Sequence, residues 1–141
     1  MSGSREFVDT NVLVYAHHRP GDLKREAARQ LVERLWREET GCLSVQVLQE
    51  FFVTVTRKIP KPLEVAVAAQ LTAHLARWPV HAPHAEDVLS AIALHQRTGV
   101  ALWDAMILRS AAQMGCHVVW SEDLNPGQSY AGVVVRNPFA A

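Results

Sequence analysis

The stretch Phe7-Val8-Asp9-Thr10-Asn11-Val12-Leu13-Val14-Tyr15-Ala16 runs from an apolar pair to a carboxylate, then through two small polar residues into a second apolar run. A short strand, an acid at its C-terminal tip and a helix that starts at once would read this way. Open α/β sheets place ligands beyond the carboxyl ends of their strands, so Asp9 stands where chemistry is done. For a single Asp the plainer alternative is a helix cap, its side-chain oxygen accepting from the first amides. The rest of the chain decides between the two.

Downstream, Val12 to His17 reads as a short helix or turn, broken at His18-Arg19-Pro20-Gly21. Asp22 is placed to cap a helix from Leu23 to about Glu38, with an apolar stripe of Leu23, Ala27, Leu31 and Leu35 widened by Ala28, Val32 and Trp36. Gly41 ends that helix, Cys42-Leu43-Ser44 is a strand, and Ser44 caps a helix from Val45 to about Arg57. Pro62 suits the first turn of a helix running to about Trp78, with Leu63, Val67, Leu71 and Leu75 spaced by four and Pro79 as its stop. A brief strand at Val80-His81-Ala82 leads to a helix from Ala85 to Arg97 with Gly99 just past its end. A helix follows from Asp104 to Met114, closed by Gly115, and then strands at Val118-Val119-Trp120 and Val133-Val134-Val135. Short apolar strands alternating with helices predict an α/β fold with a parallel sheet covered on both faces. The 141 residues fit one domain spanning 1–141, without internal repeat or linker.

Composition removes several classes. Apolar residues at 49% and charged residues at 20% describe an ordinary globular chain rather than a disordered one. A formal net charge of zero gives no global signature of a nucleic-acid binder and leaves room for a local basic face. Cys42 and Cys116 stand alone, without metal spacing, and read as buried reduced thiols of a cytoplasmic protein; a disulfide is the minority reading. No apolar run is long enough to span a membrane, and no signal-peptide core is seen near the start.

Three further acids sit in settings as odd as that of Asp9. Glu50 has Val47 and Val53 at three residues on either side, which puts it at or inside an apolar helix face, where a carboxylate is costly unless paired, hydrogen-bonded or on a metal. Asp104 opens a helix, and Asp123 follows the tip of an apolar strand. Each has an ordinary explanation: a snorkelling edge residue, a first-turn acid favoured by the dipole, a loop Asx-turn. Taken together, two strand-tip acids and two helix acids can converge at one edge of a parallel sheet. Carboxylates clustered without Cys or Lys suit a hard cation such as Mg²⁺ or Mn²⁺, which binds phosphate oxygens and activates water.

At these residues the chain resembles the PIN-domain proteins, and among them the VapC-type toxins of bacterial toxin–antitoxin pairs. The matching pieces, FVDTNVLVYA, SVQVLQEFFVTVTRK, LWDAMILRSAAQMGC and SEDLNPGQSYAGVVVRNPF, occur in the family's order over nearly the whole chain. The resemblance implies a PIN-like α/β fold with sheet order 3-2-1-4-5, and Asp9, Glu50, Asp104 and Asp123 as the four acids around a Mg²⁺ or Mn²⁺ site. It implies support from Thr10, Asn11 and Ser121, with Asn125 and Gln128 as further neighbours. It also implies metal-dependent hydrolysis of RNA, a homodimer and a cognate antitoxin protein.

Other candidates carry less. His17-His18 and His81-x-x-His84 come nearest to ligand spacing, yet neither joins cysteines or an H-E-x-x-H helix, so zinc is the minority reading. No glycine-rich phosphate loop is present, and Ser44 and Ser121 lack a nucleophile-elbow context. Arg57, Lys58 and Lys61 form a small basic run after the Glu50 helix and are candidates for gripping RNA phosphates, although cations at a helix end are also favoured by the dipole alone. Trp103 and Trp120 flank two of the acids and read as core residues before base-stacking ones. The competing functional classes are a PIN-like module that binds RNA or protein without cutting, and a structure-specific DNA nuclease.

Overall fold

The computed structural model describes residues 4–18 and 22–140. Strand β1 (Glu6–Val8) is followed by α1 (Thr10–His18), α2 (Leu23–Glu38), β2 (Gly41–Ser44), α3 (Val45–Val53) with a π-helical turn (Thr54–Lys58), and α4 (Val65–Leu75). Then come β3 (Val80–His81), α5 (Ala85–Thr98), α6 (Leu102–Gln113), β4 (Val118–Trp120), β5 (Ser129–Tyr130) and β6 (Val133–Arg136). The sheet order is β3-β2-β1-β4-β6-β5. Every pairing is parallel except that of β5 with β6. The expected order is therefore met through the strand at Val133, and the two-residue β5 is an addition at the edge. Two residues are too few to leave a period in the sequence.

Strand β1 is central because it is apolar at both faces: Phe7 and Val8 have no exposed surface. Around it the core gathers Leu13, Leu35, Leu43, Val47, Phe51, Leu108 and Val119, all fully buried. Burying side chains of this size stabilises by roughly 1.5–3 kcal/mol each. Cys42 and Cys116 are free and buried within this core.

The local signals at helix starts operate as expected. The Lys24 amide donates to Asp22 Oδ1 at 2.8 Å, and the Val47 amide to Ser44 Oγ at 3.3 Å. Gly99 takes φ 78 after α5, and Gly115 takes φ 73 after α6. The break expected at His18 to Gly21 falls on Arg19, Pro20 and Gly21, outside the described residues.

Several boundaries differ from the sequence reading. Helix α2 ends not on Gly41 but on Glu39, which takes the left-handed conformation (φ 57) with its amide on Leu35 O. Gly41 begins β2 instead, and its lack of a side chain matters there: a Cβ would lie 2.6 Å from the Trp78 ring. Leu23 is 95% exposed and leaves the α2 stripe, whose buried members are Ala28, Leu31, Val32 and Leu35. Helix α4 starts at Val65 rather than Pro62, and the Leu63 amide just before it donates to Val55 O (2.8 Å). Its inner face is Ala68 and Leu75, while Val67 is exposed. Helix α6 starts at Leu102, two residues early, with Ala101 O accepting the Ala105 amide at 2.8 Å. Trp103, expected in the core, is 66% exposed. Trp120 is half-buried and donates its indole N–H to Glu6 Oε1 at 2.8 Å.

Candidate functional site

Parallel pairing of β1 with β4, in the register Val8 to Trp120, makes the two strands end together. Asp9 and Ser121 therefore leave the sheet side by side, and the Asp9 amide still bonds Trp120 O at 2.9 Å. Asp123 follows two residues later. Helix α3 packs against α1 and carries Glu50, while the first turn of α6 carries Asp104. A cleft of ≈ 380 Å³ opens at this edge. Its lining includes Asp9, Thr10, Asn11, Glu50, Asp104 and Asp123.

A chain of hydrogen bonds fixes Asp9, Glu50 and Asp123. Asp9 Oδ1 accepts from the Thr10 amide, and Asp9 Oδ2 from the Ser121 hydroxyl, both at 2.8 Å. The Ser121 oxygen in turn accepts from the amides of Asp123 (3.2 Å) and Leu124 (3.3 Å), so one buried hydroxyl orients Asp9 and shapes the loop that carries Asp123. The Asn11 amide group donates to Asp123 Oδ2 at 3.1 Å and more weakly to Asp9 Oδ2 at 3.4 Å, while Asn11 Oδ1 accepts from the Glu122 amide at 3.1 Å. Glu50 Oε1 accepts from the Thr10 hydroxyl at 3.0 Å, and Gln46 reaches both Glu50 Oε2 (3.4 Å) and Trp103 O (3.2 Å).

Burial pushes the Asp9 carboxyl up to about 6; the bonds from Ser121 and Thr10 oppose the rise, and the charges of Glu50 and Asp104 add to it. Asp104 is raised too, first by burial and then by Asp123 and Glu50. Both shifts describe carboxylates that disfavour being charged together. Accordingly, among the described residues no three His, Cys, Asp or Glu side chains are gathered closely enough to hold an ion between them. Asp9, Glu50 and Asp123 are instead each held by a hydroxyl or amide donor. The donor set is nevertheless all oxygen, and the cleft has room for a hydrated cation. That fits Mg²⁺ or Mn²⁺, which keep several waters and use few protein ligands. Among the described residues the histidines form no metal cluster: His17 Nδ1 is on Leu13 O (2.8 Å), and His81 lies between Ser110 (2.8 Å) and Asp87 (3.7 Å).

Of the basic run, Lys58 lines the cleft, and Arg57 and Lys61 are not among its lining residues. The π-helical turn accounts for this. Its wider i→i+5 winding brings residues four apart nearer to the same face than an α-helix would, so Thr54 and Lys58 follow Glu50 along one wall. Asn125 and Gln128 also fall outside the lining; their backbones bond to one another (3.2 Å), and Gln128 O accepts the Val135 amide. Sequence reasoning missed Tyr15, Thr54 and Glu122 as lining residues. The spacing of Tyr15 from Asn11, and of Thr54 from Glu50, was the available signal, since residues four apart share a helix face.

The PIN domain family model matches residues 7–128, and the chain belongs to that family. No curated protein matches the sequence significantly. Among solved structures, a toxin–antitoxin complex from Klebsiella pneumoniae is similar at TM-score 0.72 and 18% identity, over 96% of this chain and 99% of that one. VapC20 of Mycobacterium tuberculosis, a toxin that cleaves the sarcin–ricin loop, is similar at TM-score 0.64 and 20% identity, over 84% and 91%. DNA-bound VapBC from Salmonella typhimurium is similar at TM-score 0.65 and 18% identity, over 96% and 99%. At these identities the likeness is one of fold.

Proposed function

We propose that this protein is a Mg²⁺- or Mn²⁺-dependent endoribonuclease and the toxin of a toxin–antitoxin pair. The observation that carries the reading is the convergence of Asp9, Glu50, Asp104 and Asp123 on one cleft at the carboxyl edge of the sheet, with Lys58 on its wall. In this reading the four acids hold the cation, directly or through water. Bound there, the cation supplies Lewis acidity toward a phosphodiester and lowers the pKa of water. The chain's own work is orientation. Ser121 and the Thr10 amide fix the Asp9 carboxylate, the Thr10 hydroxyl fixes Glu50, and Asn11 fixes Asp123. Lys58 offers a point charge for a phosphate beside the scissile one. None of these roles needs a ribose 2′-hydroxyl, so preference for RNA would come from fit in the cleft.

The likeness to toxin–antitoxin structures supports an antitoxin partner. A homodimer is supported by α5, where Val88, Leu89 and Ile92 stand exposed at helical spacing. The substrate and antitoxin proposed place the protein in the cytoplasm. The test is cleavage of structured RNAs with Mg²⁺ or Mn²⁺ against an EDTA control. Cleavage that survives both EDTA and Asp9→Asn overturns the mechanism, and tight RNA binding without cleavage selects the binding module. Growth arrest on expression, relieved by a co-expressed antitoxin, tests the biological role.

A further inference from the structure

The cleft is lined by five carboxylates, Glu122 being the fifth, and by one ammonium group, Lys58. Glu122 sits between Ser121 and Asp123, and its amide is anchored on Asn11 Oδ1 at 3.1 Å. Its backbone is therefore fixed, and its side chain has a partner of its own. That partner is Lys24, in the first turn of α2, which forms an ion pair with it across 98 residues of sequence. Lys24 is itself anchored: its amide is held by Asp22 Oδ1, and its ammonium lies 5.4 Å from the Tyr15 ring centroid and 5.5 Å from that of Phe139. The two rings meet edge to face at 5.1 Å. Isolated surface pairs contribute little. Here one carboxylate and two ring faces converge on a single ammonium, and cation–π contacts add to the pair.

We propose that Lys24 is a positioning residue, which withdraws Glu122 from the cation-binding set and leaves that set as Asp9, Glu50, Asp104 and Asp123. The proposal rests on the nuclease reading above and adds a residue outside the cleft to it. An unpaired Glu122 is free to turn inward as an extra oxygen ligand. The cleft then holds a divalent ion more tightly, but displaced from the position that serves hydrolysis. The role is charge compensation, and it differs in sign from a mechanical tether. A tether is lost whichever partner is removed; compensation is restored when the second partner is removed as well.

The experiment uses the full chain and four variants: Lys24→Met, Lys24→Arg, Glu122→Gln and Lys24→Met/Glu122→Gln. Mn²⁺ alone is titrated calorimetrically, and RNA cleavage is measured separately as kcat and KM. Lys24→Met is expected to bind Mn²⁺ about fivefold more tightly and to lose roughly tenfold in kcat with KM little changed. Glu122→Gln, outside the proposed catalytic set, is expected to stay within about threefold of wild type in both, and adding it to Lys24→Met is expected to restore both, as a double-mutant cycle reads coupling. Lys24→Arg keeps wild-type behaviour. Mn²⁺ affinity in Lys24→Met equal to or below that of wild type overturns the proposal, as does a double variant as slow as Lys24→Met. Absence of Mn²⁺ binding by wild type itself overturns the cation-site reading first, and is distinguishable because every variant is then equally silent.

Discussion

Asn11 donates to Asp123 across 3.1 Å although 112 residues separate them in sequence. The same side chain accepts the Glu122 amide, so the first turn of α1 and the loop after β4 are joined by one amide group that uses both its ends. Asn11→Ala should therefore do two things. It leaves the Glu122 amide without its acceptor, a cost of about 1–3 kcal/mol when such a group is sheltered from water. It also frees Asp123, and cleavage should fall by roughly tenfold or more for each 1.4 kcal/mol of lost orientation. Thermal melts and cleavage rates check both; a variant with wild-type rate would remove Asn11 from the site.

The raised Asp9 carboxyl makes a pH prediction for the metal-free protein. Its pKa goes from 3.8 to about 6, so the native state holds the proton more tightly than the unfolded chain. Stability from this group is present below pH ~4 and is lost as pH rises through ~6, by roughly 3 kcal/mol in total. Partly buried His17 and His81 are shifted down by desolvation and act in the opposite sense over part of this window. The clean observable is thus the difference between wild type and Asp9→Asn in EDTA. That difference should move in favour of the variant by roughly 2 kcal/mol between pH 4.5 and 7.5. A pH-independent difference from denaturant melts would contradict it.

Much of this arrangement is legible in the sequence because it rests on local signals. Asp22 and Ser44 stand where a helix needs an acceptor, Gly99 stands where a left-handed residue ends one, Asp9 directly follows an apolar run, and Asp123 comes shortly after another. What is not legible depends on partners distant in sequence. Gly41 reads as a helix end, yet its bare Cα answers the Trp78 ring. Pro62 reads as a helix start, yet Val55 O captures the next amide. Lys58 and Arg57 are adjacent and alike in charge, and which of the two faces the cleft depends on the π-helical winding of their turn. Glu122 stands between two residues of the proposed site, and nothing nearby in sequence signals Lys24.

That separation of the basic residues is measurable. Lys58→Ala should weaken RNA binding and raise KM with kcat less affected, as expected for an interaction made equally in ground and transition states. The salt dependence of binding should flatten by about 0.7 for each phosphate no longer neutralised, the value for single strands. Arg57→Ala and Lys61→Ala should change either quantity much less. Equal effects from all three would mean that general basicity, and not the cleft wall, holds the RNA.

Asp104 gives the sharpest test of a shared cation site, because one substitution should act in opposite directions in two conditions. Burial and the charges of Asp123 and Glu50 disfavour its ionised form. Two like charges ~4 Å apart repel by roughly 4 kcal/mol at an effective dielectric near 20, so removing one charge from such a cleft relieves its neighbours. Asp104→Asn should accordingly be neutral or stabilising in EDTA. With millimolar Mn²⁺ the wild type should gain stability, since a ligand that binds only the folded state adds RT ln(1 + [L]/Kd), about 2.7 kcal/mol at 100 times Kd. Asp104→Asn has lost one oxygen donor and should forfeit most of that gain. Thermal melts of both proteins, with EDTA and across a Mn²⁺ series, read the crossing directly. If the metal-induced shift of Asp104→Asn equals that of wild type at every concentration, Asp104 holds no cation. If neither protein shifts, the four acids are not a metal site at all.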